Sequence, residues 1–332
     1  MTEHITRDGQ RIVVLGASGF IGSAVSAALA ARPVRLRLVS RRPAALPSGA
    51  VADVETRAAD LTVPGALADA IADADIVIHL VAHTDGGWRG SDGDTMAKRV
   101  NLGLVEDLAH ACRSRPTGTP PPSVVFASSA LISEDRIDSA YCRQKLMAER
   151  VLAAATEEGV LRGISLRLPA AYGYGPAADP RVIEVMVRKA LAGQELTLWH
   201  DGAVRRDLVH LDDVAAVFLD TIDNIDALVG ACWPIGTGCG EPLGKVFAEI
   251  SELVADYTGE PAVSVVTVAA PANSGPTDLV DLEIDSSRFR AVTGWQPRIS
   301  LRDGLRRTIA ELAAAPARGG TPSTPGPYRA TG

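Results

Sequence analysis

Cysteine is scarce in this chain, and its four copies, Cys112, Cys142, Cys232 and Cys239, form no C-x-x-C pair and no metal-ligand spacing. A disulfide framework and a metal site are therefore not expected, and the thiols read as buried or incidental groups in a reducing compartment. Long apolar runs are missing as well, so no segment approaches membrane-spanning length. Met1 to Gln10 is polar and lacks the apolar core of a secretory signal. These absences together predict a soluble cytoplasmic protein with no membrane partner. An excess of positive charge is also lacking. The 33 Lys and Arg against 40 Asp and Glu give a formal net charge of −7, which argues against nucleic acid as a partner. The sequence carries no internal repeat.

What the chain does have is apolar content: at 332 residues and 46% hydrophobic composition it can bury a full core and form one or two globular units. Short β-like runs at Ile12–Leu15, Val34–Val39, Glu55–Ala58, Ile76–Val81, Val124–Ala127 and Ile164–Leu168 alternate with helical patterns. The latter, rich in Ala and Leu, fall at Phe20–Ala31, Pro64–Ala72, Met96–Arg113 and Ala140–Glu158. Such alternation predicts parallel strands joined by right-handed helical crossovers, an α/β fold with a doubly wound parallel sheet. Pro116–Pro122 reads as a surface loop. After Leu168, Gly and Pro punctuate shorter elements. The expected organisation is an N-terminal extension over 1–10, a first α/β domain over 11–168, and a smaller interleaved domain over 169–314 with some elements returning to the first. A tail over 315–332, rich in Pro, Gly, Ser and Thr, is expected to be disordered.

The most informative segment runs Ile12-Val13-Val14-Leu15-Gly16-Ala17-Ser18-Gly19-Phe20-Ile21-Gly22. An apolar run, three glycines spaced G-x-x-G-x-x-G and an Ala-rich helical pattern predict strand, tight turn and helix. The helix N-terminus offers unpaired backbone N–H groups and partial positive charge, which suit a pyrophosphate. Gly16 permits the turn, Gly19 lets backbone approach phosphate, and Gly22 lets the helix close onto the sheet. In a dinucleotide fold, an acidic residue about 20 positions further on would bond a ribose 2′-hydroxyl and select NAD. Here the chain reads Leu38-Val39-Ser40-Arg41-Arg42, with no carboxylate. Two guanidinium groups can clamp a 2′-phosphate, with the Ser18 hydroxyl beside them, so NADPH/NADP+ is the expected cofactor of the first domain. A solvated surface pair is the alternative reading of Arg41 and Arg42. Asp60-Leu61 ends the third strand, where Asp60 either meets the adenine edge or caps the next helix.

Tyr141-Cys142-Arg143-Gln144-Lys145 opens a strong helical pattern after an Asp138-Ser139 capping signal. The i,i+4 spacing puts Tyr141 and Lys145 on one helix face. A phenol has an ordinary pKa near 10, and a nearby ammonium is expected to lower it towards the range useful for proton transfer. Ser129, at the end of a strand, is placed to donate a hydrogen bond to a carbonyl oxygen as charge builds on it. Y-x-x-x-K alone is a common helix face. Glycine turn, strand-end serine and helical Y-x-x-x-K in this order is a far more restrictive combination.

In that order the motifs resemble the extended short-chain dehydrogenase/reductases, the NAD-dependent epimerase/dehydratase family of nucleotide-sugar epimerases, dehydratases and reductases. The resemblance runs from about Arg11 to Leu312. It implies a catalytic triad of Ser129, Tyr141 and Lys145, with Tyr141 and Lys145 also touching the cofactor. It further implies cofactor contacts from Gly16, Ser18, Gly19, Phe20, Ile21, Gly22, Ser40, Arg41, Arg42, Asp60, Leu61, Val81, Ala82 and Pro169, with Asn101 in the helix beneath. Leu168–Gly173 resembles the segment that meets the nicotinamide carboxamide. Arg206-Asp207 through His210 to Asp213 resembles the segment whose arginine grips a sugar nucleotide's pyrophosphate while its Asp and His are structural. The implied substrate contacts are His83, Ser129, Arg206 and Trp199, the last stacking on the nucleobase or else lying in the core. Asp285 and Thr293–Pro297 resemble the family's closing scaffold.

His79–His83, Leu166–Gly173 and Trp199–Leu208 are most similar to the group of actinobacterial dTDP-4-keto-6-deoxyhexose 4-ketoreductases. That likeness implies NADPH-dependent reduction of a dTDP-linked 4-keto-6-deoxysugar in natural-product deoxysugar biosynthesis, by a homodimer. Ala130-Leu131 supplies no Asp-Glu pair of the dehydratase kind, and no cysteine lies near Ser129 as in the reductase-epimerases. The span from Ser129 to Tyr141 is short, which puts lid contacts to the sugar in doubt. Gln144 stands where many relatives have serine and is expected to leave the chemistry unchanged. A 4-epimerase, another NADPH-dependent ketone reductase and a non-catalytic NADPH sensor are the alternatives, the last opposed by an intact Ser129, Tyr141 and Lys145.

Overall fold

A computed structural model describes residues 9–45, 49–83, 93–132, 139–176, 181–199, 201–270 and 276–315. Most of the N-terminal extension, nearly all of the tail, and Asp138 lie outside the described residues. The chain runs β1 (Arg11–Leu15), α1 (Phe20–Ala30), β2 (Arg35–Ser40), β3 (Asp53–Ala58), α2 (Ala66–Ile71), β4 (Ile76–His79), α3 (Thr95–Lys98), a π-helical turn (Arg99–Gly103) and α4 (Leu104–Arg113). There follow β5 (Ser123–Ser129), α5 (Ala140–Glu157), β6 (Arg162–Leu168), β7 (Ala170–Tyr172), α6 (Val182–Leu191), β8 (Leu196–Trp199), β9 (Arg205–His210), α7 (Leu211–Asp223), α8 (Ile225–Leu228) and β10 (Cys232–Pro234). The remainder is β11 (Gly240–Pro242), α9 (Leu243–Thr258), β12 (Val265–Val268), a 3-10 turn (Pro276–Leu279), α10 (Ser287–Thr293) and α11 (Leu301–Ala314).

Seven parallel strands in the order β10-β6-β5-β4-β1-β2-β3 form the main sheet, the doubly wound α/β architecture the alternation predicts. Its central strands are apolar on both faces because both faces are covered. Ile12, Val14, Ile76 and Ile78 pack with Val25 and Leu29 of α1 and Val214, Val217 and Phe218 of α7. Val13, Leu15, Val77, Val124 and Phe126 pack on the other side with residues of α2, α4 and α5. The second half of the chain thus supplies both a covering helix, α7, and an edge strand, β10. A third core joins α6, α9 and α11 to Leu196 and Leu198 of β8. Among the described residues no helix is long and apolar enough to cross a membrane.

Two elements differ from the sequence pattern. The fourth strand ends at His79 rather than Val81, and Met96–Arg113 is not one helix but α3, a π turn and α4. Asp94 caps α3 by accepting the Ala97 N–H at 2.8 Å, and side-chain bonds made by Asn101 hold the π turn in place. Such turns need a tertiary reason, which local periodicity does not carry.

Candidate active site

Parallel strands all end on one edge of the sheet, and the site forms there. After β1, Gly16 adopts φ +89° and its N–H and that of Ala17 donate to the Val39 carbonyl at 2.8 and 3.1 Å. A Cβ on Gly16 would stand 3.2 Å from the Leu80 carbonyl carbon and the Val81 nitrogen, so the chain leaving β4 walls the turn. A Cβ on Gly22 would fall 2.0 Å from the Gly16 oxygen; the first turn of α1 rests directly on the loop. Gly19 is extended at the N-cap of α1 and supplies no side-chain cap. Ser18 and Ile21 are half-buried and Phe20 is buried. A bare helix N-terminus over a tight glycine turn fits a dinucleotide pyrophosphate.

At the end of β2 the buried Ser40 hydroxyl donates to the Arg42 carbonyl at 2.5 Å and turns the chain, leaving Arg41 and Arg42 exposed. Asp60 does not cap α2, whose N-cap is Gly65. It accepts instead from the Thr62 N–H at 2.9 Å and hydroxyl at 2.6 Å, an Asx turn. Those bonds, with the charges of Arg41 and Arg99, hold its carboxyl below the usual range. Leu61 beside it is buried.

β5 delivers Ser129 as its last residue, opposite Leu168 of β6, so that Pro169 follows directly across the pair. The Ser129 hydroxyl accepts from the Leu131 N–H at 3.2 Å. Ser139 caps α5 by accepting the Cys142 N–H at 3.1 Å. One turn in, Lys145 Nζ lies 5.9 Å from the Tyr141 ring centroid and 4.5 Å from that of Phe126, and donates to the Ala127 carbonyl of β5 at 2.9 Å. The fold therefore gathers Tyr141 and Lys145 against the end of β5. The expected lowering of the phenol pKa is not what the surroundings produce. Burial pushes Tyr141 up to about 12, with Arg181 rather than Lys145 as the opposing cation. Burial also pulls Lys145 down to about 8 against the charge of Glu149. Desolvation outweighs the ammonium, and at neutral pH the tyrosine is a protonated acid beside a largely cationic lysine.

Arg181 and Glu149 at this edge escaped the sequence reading. The Arg181 guanidinium carbon, at the N-cap of α6, sits 4.1 Å from the Phe20 ring centroid. Glu149, one turn beyond Lys145, accepts from Ser128 at 2.5 Å and from Arg167 at 3.0 and 2.7 Å, tying α5 to β5 and β6. Buried Asn101, in the π turn, accepts the His83 N–H at 2.8 Å and donates to the His83 carbonyl at 3.2 Å and to Gln144 at 2.8 Å. The His83 ring lies 3.4 Å from Asp94. Val81 is half-buried and Ala82 exposed on the same segment. His79 is buried, its pKa lowered to about 3 by burial and then by Lys145, and neither ring nitrogen has a partner among the described residues.

Residues 12–236 match the NAD dependent epimerase/dehydratase family. The chain belongs to that family. It is 26% identical to dTDP-L-rhamnose 4-epimerase of Burkholderia thailandensis, covering 90% of this chain and 93% of the relative. It is also 26% identical to dTDP-6-deoxy-L-talose 4-dehydrogenase (NAD(P)(+)) of Kitasatospora kifunensis, covering 92% and 96%. UDP-glucose 4-epimerase from Thermotoga maritima, solved with UDP-glucose, shares the fold at a TM-score of 0.75 and 21% identity, over 92% of this chain and 99% of that one.

In this epimerase/dehydratase family member Arg206, Asp207, His210 and Asp213 are engaged with backbone. Arg206 donates to the carbonyls of Val280 at 2.6 Å, Asp278 at 2.7 Å and Arg205 at 2.9 Å, and so anchors the segment after the 3-10 turn. Buried Asp207 accepts from Thr237, Gly238 and Ile284. His210 caps α7 by accepting the Asp212 N–H at 3.2 Å, and Asp213 accepts the N–H groups of Arg298 and Ile299. Trp199 is half-buried at the end of β8.

Proposed function

We propose that this family member reduces the C4 keto group of a dTDP-linked 4-keto-6-deoxyhexose with NADPH. The observation that carries the reading is the end of β2: no carboxylate, and two exposed arginines presented by the Ser40–Arg42 turn at the ligand edge of the sheet. A 2′-phosphate suits them and an NAD-selecting acid is missing. When bound over the glycine turn and beside Arg41 and Arg42, NADPH would supply the hydride. Tyr141, held protonated by burial, gives its proton to the carbonyl oxygen as the C–H bond forms and the alcohol results. The Ser129 hydroxyl donates to that oxygen as negative charge builds on it. Lys145 supports the phenolate left on Tyr141 until it is reprotonated. The sugar class is supported by relatives whose names place their chemistry at C4 of dTDP-linked deoxysugars.

A second reading, reduction of a ketone that carries no nucleotide, is favoured by Arg206, whose guanidinium bonds the Asp278 and Val280 carbonyls. One experiment separates the two. NADPH oxidation is measured with dTDP-4-keto-6-deoxyhexoses and with the same sugars lacking the nucleotide. Turnover of the dTDP sugars alone is expected, and Tyr141→Phe should lower it by about 10²-fold or more while cofactor still binds. Equal rates on sugars without nucleotide would remove the substrate class; NADPH-independent C4 inversion would favour an epimerase.

A further inference from the structure

We propose that Gln144 is a positioning residue for the dinucleotide: acting through Asn101, it fixes the 80–83 segment that walls the glycine turn. The inference rests on the dinucleotide reading of that turn. β4 ends at His79; the Leu80 N–H still donates to the Leu15 carbonyl at 2.9 Å, and the chain then leaves the sheet as it passes Gly16. One side chain holds it from there. Asn101 accepts the His83 N–H at 2.8 Å and donates to the His83 carbonyl at 3.2 Å, holding both backbone groups of that residue.

An amide can make these two bonds in only one of its two flipped orientations. The two His83 groups fix that orientation, and the Gln144 Oε1 accepts from Asn101 Nδ2 at 2.8 Å, which satisfies the donor the first bond leaves over. Asn101 is 1% exposed, so without that acceptor a donor would be left unsatisfied in the interior. Gln144 also precedes Lys145 on α5. The catalytic helix, the π turn and the segment that walls the glycine turn are thereby linked through the Asn101–Gln144 pair. The sequence reading gave Gln144 no part in the chemistry; its contacts give it a part in binding.

Gln144→Met keeps the volume and removes the acceptor, whereas Gln144→Glu keeps an acceptor. The full-length protein is titrated with NADPH and with NADH, and thermal unfolding is recorded for each variant. For Gln144→Met the dissociation constant of the preferred dinucleotide should rise about tenfold, the scale of one buried hydrogen bond. The kcat at saturating cofactor should stay within about twofold, and Gln144→Glu should recover most of the affinity. In an Asn101→Ala background Gln144→Met should add less than about twofold, since the two act as one unit. Unchanged affinity in Gln144→Met, an equal loss in Gln144→Glu, or a full loss persisting in the Asn101→Ala background would each overturn the proposal. A wild-type protein that binds neither dinucleotide would overturn the proposed function with it, whereas binding by wild type and Gln144→Met alike overturns this proposal alone.

Discussion

The chain contains two arginine pairs that look alike in sequence and behave differently in the fold. Arg41-Arg42 leaves the C-terminal end of β2, and both side chains are exposed. Arg205-Arg206 begins β9, and Arg206 is drawn onto the carbonyls of Asp278 and Val280. The histidines differ by one bond. Both are buried, and His79 has neither ring nitrogen partnered among the described residues, whereas His210 uses Nδ1 to accept the Asp212 N–H and only its Nε2 is without a hydrogen-bond partner there. In the first half a seven-stranded sheet fixes most of the backbone, and the Arg41-Arg42 pair at its edge is left exposed. In the second half the sheets are small, of three and two strands, and polar side chains are needed to hold segments together.

The histidine contrast makes the largest prediction. His79 has a folded pKa of about 3 against an ordinary 6.5, lowered by burial and then by Lys145. Between those values the unfolded chain binds more protons than the folded one. The stability contributed by a neutral His79 is therefore full above about pH 6.5 and is lost as pH falls towards 3, at up to about 1.4 kcal/mol per pH unit. Over that window the folding equilibrium shifts by about three powers of ten. Urea unfolding from pH 7 to 4 should show His79→Leu losing less stability with acid than wild type. Parallel curves would mean that the ring is protonated in place, and the contrast with His210 would fall.

How much of this was legible follows the same division. The glycine turn, the Ser139 cap and the β5 serine are local patterns, and each forms where the sequence puts it. The parallel sheet follows from alternation, because strands buried on both faces must be apolar throughout. The π turn, the Asn101–Gln144 clamp and the Arg181–Phe20 contact are not local: their partners stand 43 residues apart in the clamp, and no periodicity records them. The partners of Arg206 lie 72 and 74 residues away, so a motif fixes the arginine but not what it holds.

The next effect tests the exposed pair. Replacing Arg41 and Arg42 together with Ala should weaken NADPH by about tenfold to a hundredfold, as lost charged hydrogen bonds would. NADH should change by less than about threefold, since it lacks the phosphate that the fork geometry suits. Titration of both dinucleotides checks this. Equal weakening would show that the pair serves the turn and not a 2′-phosphate, and would make it resemble Arg206.

Arg206 carries the smallest expected effect, because two tasks compete for one guanidinium. Its bonds to the Asp278 and Val280 carbonyls are geometric facts of the fold, and a grip on a sugar nucleotide's pyrophosphate would have to share the remaining donors. Arg206→Ala leaves those carbonyls without their charged donor, at a cost of about 1–3 kcal/mol in stability. Calorimetry should accordingly show a lower unfolding temperature. If the guanidinium also reaches phosphate, the apparent KM for a dTDP-4-keto sugar rises up to about tenfold while NADPH affinity is unchanged. Arg206→Lys sharpens the outcome: it keeps the charge but loses the planar fork, so phosphate attraction partly survives while the paired carbonyl bonds do not. A Lys variant as unstable as the Ala variant, yet with a nearly normal KM, is the expected pattern for both tasks. A wild-type KM in both variants would place the second arginine pair wholly in the scaffold, opposite in role to the first.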